Sequence, residues 1–250
     1  MKSARVVPQL SLVVKWPHHA ALAPMAQQLM KQLTEHRLAA TWAIEQPAQA
    51  ERLRAGQRRH DVDAALLVGA ATAALAAKPS ESADFSYEIR CSLDELRGAG
   101  LEVSAVQIGR ELARGVHERR LRELGVRAVI VDGMGQAPSA AAPRALPFGM
   151  WQLSPRVSVP ILTTWRRFFS RAQRVHLEPI DGAPMVASID LGRIGSPTSR
   201  GWRAVERLIR QVADARQRNA VTVATVAEVT AGLAQGNAAR PQRSILRAAA

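Results

Sequence analysis

A chain of 250 residues, 47% of them hydrophobic, can bury one full core and is too apolar to be disordered over most of its length. No apolar run approaches the ~18 residues that a membrane helix requires, and the single cysteine, Cys91, excludes an internal disulfide. The formal charge is +13, yet only Lys2, Lys15, Lys31 and Lys78 among the cations are lysines. Abundant arginine with abundant alanine is the mark of a GC-rich coding bias, so the charge does not by itself define a polyanion-binding protein.

Lys2 and Arg5 precede the apolar run Leu10 to Val14, as in a secretory leader, but Lys15 interrupts that run too early. The segment reads instead as a first strand, Leu10–Trp16. A chain without disulfides suits a reducing compartment, and the cytoplasm is the expected location.

Three phrases then repeat: LTEHRLAATWAI from Leu33, LRGAGLEVSAV from Leu96 and LRELGVRAVIV from Leu121. Each reads as the end of an amphipathic helix, a tight turn and a short apolar strand. Gly100 and Gly125 stand where a helix takes a left-handed cap. Upstream, Leu22, Ala26, Leu29 and Leu33 recur at helical spacing, as do Ile89, Leu93 and Leu96. The strands that follow from this pattern are Ala39–Ile44, Ala64–Val68, Glu102–Gln107 and Ala128–Val131. Later ones are Gly149–Leu153, Val175–Leu177 and Met185–Leu191. Strands of Val, Ile, Ala and Leu joined by helices predict a parallel sheet buried on both faces.

Residues Gln136 to Pro147 read as a loop rich in Pro and Ala. Ser199 to Arg216 forms an amphipathic helix, with Val205, Leu208, Ile209 and Val212 on one side and Arg200, Arg203, Arg207 and Arg210 on the other. Val226 to Leu233 is a last helix, with Thr225 as N-cap and Glu228 as its capping-box partner. A basic tail, 236–250, is expected to fray. No domain boundary interrupts residues 1–235.

The six histidines show no metal-binding spacing: His18 and His19 are adjacent, His36 and His117 belong to helices, and His60 and His176 stand alone. His60-Asp61-Val62-Asp63 reads as a polar turn entering a strand. Gly133-Met134-Gly135 lacks the third glycine of a phosphate-binding turn, there is no Gly-x-Ser-x-Gly elbow, and Cys91 lies within a helical pattern. Trp16, Trp42 and Trp151 fall near strand ends, where in an α/β barrel an indole stacks on a ligand or plugs the mouth. The arginine clusters at 52–59 and 166–174 and on the late helix read as solvated faces on separate helices rather than as a nucleic-acid interface.

The order of elements resembles the NodB-homology polysaccharide deacetylases. His36-Arg37-Leu38-Ala39-Ala40-Thr41-Trp42 is similar to that family's helix-end and second strand, H-G-I-K-A-T-F. Leu10–Trp16 resembles its first strand, and Val221-Thr222-Val223 its last strand region. The resemblance implies a single distorted α/β barrel, with metal-assisted hydrolysis of acetyl groups on sugars as the family's chemistry. That chemistry uses an aspartate base, a metal held by a second aspartate and two histidines, and a histidine acid.

Here Lys15 and Trp16 stand where the aspartate pair belongs, Leu67 to Thr72 contains no histidine, and Ala105 to Gly109 lacks the arginine and proline of the next motif. The terminal Leu-His-Asp-like motif is reduced to Ser188-Ile189-Asp190. The expectation is a catalytically degenerate protein with no metal or other cofactor, binding a saccharide or small polar ligand at the barrel mouth through Lys15, Trp16, His18, Asp132, Trp151 and Asp190. An active deacetylase with differently placed ligands and a basic nucleic-acid-associated protein are the alternatives. A lysine at the mouth needs a carboxylate partner, and Asp132 and Asp190 are the expected ones.

Overall fold

β1 (Gln9–Trp16) is buried at every position but Gln9, with strands paired to it on both sides. The computed structural model describes residues 7–56, 63–109, 112, 116–132, 142–159 and 183–238. In chain order β1 is followed by α1 (Ala23–Glu35), β2 (Thr41–Ile44), α2 (Pro47–Gly56), β3 (Ala64–Leu67), α3 (Ala70–Leu75) and α4 (Ser82–Gly98). Next come β4 (Val103–Ile108), α5 (Val116–Glu123), β5 (Ala128–Val131), β6 (Arg144–Leu146), β7 (Met150–Leu153) and β8 (Val157–Val159). β9 (Met185–Asp190), α6 (Arg200–Gln217), β10 (Thr222–Val223) and α7 (Val226–Ala238) follow.

The strands form one sheet in the order β6-β7-β5-β4-β3-β2-β1-β9-β8, with β10 paired to the start of β1. It curls into a half-barrel with helices around it. Three strands separate β1 from β5, about 19 Å along a flat sheet. That is further than two side chains can span, yet Lys15 of β1 touches Asp132 just past β5. The contact therefore crosses a chord of a strongly curved sheet. Ala43, Ala65, Ala105 and Ala128, the register row that runs from Lys15, put small side chains on the inside of that curve.

Alternation along β1 sorts its side chains. Leu10, Leu12, Val14 and Trp16 face outward into the main core with Met25 and Leu29 of α1, Phe85 and Ile89 of α4, and Trp202, Val205 and Leu208 of α6. Val13 faces inward with the alanine row, Ile130, Leu153 and Val186. Val226 and Leu233 of α7 pack on this concave face.

Several expectations need correction. Among the described residues one strand pair is antiparallel, β6 with β7, and β6 lies within the stretch expected to be a loop. One helix, α7, covers part of the concave face. β8 was not anticipated, since three residues show no period. The expected strand 175–177, the clusters at 57–62, 133–135 and 166–174, and the tail beyond 238 lie outside the described residues. No helix among the described residues is long and apolar enough to cross a membrane.

The caps behave as their residues dictate. Gly100 and Gly125 both adopt φ +82°, each closing its helix before the next strand. Arg37 takes the same role after α1 at φ +54°, where a side chain is disfavoured. Arg216 of α6 holds that turn by donating to the Arg37 carbonyl at 2.8 Å. Ser199 accepts from the Trp202 amide at 3.1 Å, and Thr225 with Glu228 forms the expected reciprocal capping box.

Candidate functional site

The C-terminal ends of β1, β4, β5 and β9 bring four polar side chains to the mouth of the half-barrel. Lys15 registers beside Asp190 on β9, and its ammonium forms an ion pair with Asp132. Gln107 of β4, fully buried, donates its amide to the other Asp132 oxygen at 3.0 Å. Asp190 is bound by Arg193 at 3.2 Å. The side chain of Lys15 is 9% exposed and that of Asp132 27%, so the carboxylate lies at the opening and the amine beneath it. Burial pulls the Lys15 amine down from 10.5 to about 8; Asp190 opposes the shift and Arg193 adds to it. Gln107 Oε1 and Ser188 Oγ are buried without a hydrogen-bond partner.

Of the six residues singled out in the sequence, Lys15, Asp132 and Asp190 converge here. His18 does not join them: it follows β1, is exposed, and uses its backbone N–H on Glu45 at 2.8 Å. Trp16 points the other way, into the outer core, with its ring edge-on to Trp42 at 6.1 Å. Neither indole lines the mouth, because an even position on β1 shares the face of Leu12 and Val14. Trp151 registers with Ala128, the first residue of β5 and four residues before Asp132. It therefore lies toward the opposite end of the sheet, since β7 starts at Met150 and runs parallel to β5.

Gln107 was missed, although a lone amide in the apolar β4 was its signal. Asp63 was absorbed into a polar turn. It accepts hydrogen bonds from the Thr41 hydroxyl and from the Val226 and Ala227 amides at the start of α7. Burial, the largest influence, pushes its carboxyl up from 3.8 to about 6. Val226 also donates to Thr41 Oγ1 at 2.9 Å, so this group anchors α7. A shallow cleft near the N-terminal ends of the strands is lined by Arg97, Glu102 and Arg127. Its Arg97 is committed to the carbonyls of Val103 and Leu124, which is a packing role.

The divalent metal that the family resemblance implies does not fit these residues. An ammonium occupies the centre of the mouth, Leu67 to Thr72 offers no imidazole, and among the described residues no group of three or more His, Cys, Asp or Glu side chains could hold an ion.

No family pattern and no curated relative matches the sequence. The fold has solved counterparts. A putative polysaccharide deacetylase from Mycobacterium smegmatis superposes with TM-score 0.58 at 12% identity, over 94% of this chain and 93% of that one. A putative polysaccharide deacetylase involved in O-antigen biosynthesis, from Bordetella bronchiseptica, gives 0.51 at 13% identity over 93% and 92%. The 4-alpha-glucanotransferase from Thermococcus litoralis gives 0.59 at 15% identity over 90% of this chain, which spans only 40% of that protein's length. The chain thus has the α/β fold seen in polysaccharide deacetylases.

Proposed function

We propose that this chain is a catalytically degenerate, deacetylase-like protein that works by binding a saccharide or other small polar ligand at the mouth rather than by hydrolysis. The observation that carries this reading is the Lys15–Asp132 ion pair at the position where the resembled family keeps a metal and its base. A hydrolytic site of that kind needs a free carboxylate to take a proton from water and a cation to polarise the acetyl carbonyl. Here Lys15 cannot act as that carboxylate, and Asp132 is neutralised by the lysine and held by Gln107. The fold supports a carbohydrate-related ligand only by analogy of architecture, and the polar groups at the mouth support a hydroxylated one.

The test is acetate release from N- and O-acetylated oligosaccharides, with and without added zinc or cobalt. The expected result is release no faster than in buffer. Metal-dependent release by the wild-type chain, abolished in Asp132→Asn, would overturn the proposal.

A further inference from the structure

We infer that Lys15 is a carbonyl-reactive amine, placed to capture a small hydroxylated aldehyde or ketone as an imine at the mouth of the half-barrel. The inference rests on the reading of the mouth as a small-polar-ligand site and adds a covalent step to it. Three observations point the same way. Lys15 is the penultimate residue of β1, with its side chain on the concave face and almost wholly out of water, the setting in which an amine becomes a nucleophile. A carboxylate already touches it, and the partly exposed Asp132 forms the outer wall, so an incoming carbonyl meets the acceptor and the amine together. Two further groups of the concave wall, Gln107 Oε1 and Ser188 Oγ, are buried and have no partner. Gln107 is already linked to Asp132, and Ser188 is two residues before Asp190, the register neighbour of Lys15. Buried polar atoms of this kind call for hydrogen bonds, and the hydroxyls of a short polyol chain would supply them.

The step balances with the groups present. The ammonium gives one proton to Asp132, and the amine lone pair adds to the carbonyl carbon as the C=O π bond opens. The new nitrogen passes a second proton to the carbinol oxygen, which takes the proton held by Asp132 and leaves as water as the C=N bond of a protonated imine forms. Carbonyl compound and protonated lysine give protonated imine and water, with no oxidant or reductant. The lowering of the Lys15 amine to about 8 keeps a useful fraction neutral near physiological pH.

The full chain is incubated with erythrose and sodium cyanoborohydride, which traps imines as secondary amines, and the labelled lysines are located by peptide mass mapping. Lys31 and Lys78, 79% and 58% exposed, are internal comparators. Lys15 is expected to be labelled about tenfold faster than either near neutral pH, with a rate that rises and levels off as pH passes about 8. Labelling of Lys15 no faster than that of Lys31 and Lys78, in protein with an unchanged circular dichroism spectrum, overturns the imine. Saturation-transfer NMR with erythritol, which has no carbonyl, separates the two claims. Contact with erythritol but no fast labelling leaves the ligand site standing and removes the imine. Absence of both removes the two together.

Discussion

Replacing Lys15 by methionine keeps the length of its aliphatic stem and removes the charge that Asp132 faces. Asp132 and Gln107 would then be left with an unbalanced carboxylate at the mouth. Breaking a fully buried pair costs ~3–5 kcal/mol, and the partial exposure of Asp132 reduces this to about 2–3 kcal/mol. Urea unfolding of Lys15→Met measures it, and an unchanged midpoint would show that the pair does not stabilise the fold. Asp63 gives a pH signature of opposite origin. Its carboxyl holds a proton more tightly in the folded chain, up to about 6, than the unfolded value of 3.8. Its contribution to stability is therefore full below the unfolded value and falls as pH rises through that window, by up to ~3 kcal/mol. In Asp63→Asn the unfolding free energy should lose this slope, and a wild-type profile in the variant would contradict the assignment. The Lys15 partnership was legible because a charge ending an apolar strand needs a counter-charge and only a few strand-end carboxylates exist. Trp16 was misread because its position near the strand end suggested the mouth, whereas its parity sends it outward.

Among the elements, the repeated helix-glycine-strand phrases were readable because each carries its own punctuation, and Gly100 and Gly125 sit in the left-handed conformation that the pattern demands. Arg37 stands in the same conformation without being glycine. Arg37→Gly is expected to raise stability by up to ~1 kcal/mol, since relief of the left-handed strain outweighs the added freedom of the unfolded chain. Thermal denaturation decides it, and a loss of stability would mean that the Arg37 side chain contributes more than its backbone costs. β6, β8 and β10 have two or three residues each, too few for alternation to register, so their existence depends on the neighbours they pair with. The amphipathic pattern of α6 was clear because its arginine face is exposed and its apolar face buried. The place of α7 on the concave side was not, because that is set by Thr41 and Asp63 on distant strands.

At the scale of the whole molecule, the order of helices and strands identified the architecture, but the curvature that makes a site was invisible. An alanine row lines the inside of that curve between β1 and β5, and those alanines read locally as ordinary strand residues. The consequence is a mouth in which a lysine and a carboxylate neutralise each other where a metal hydrolase would gather imidazoles around an ion. The most direct measurement is equilibrium dialysis of the untagged full chain against zinc and cobalt, followed by elemental analysis. This account predicts no stoichiometric metal in either case. About one ion retained per chain, with the coordination of a catalytic site, would contradict it.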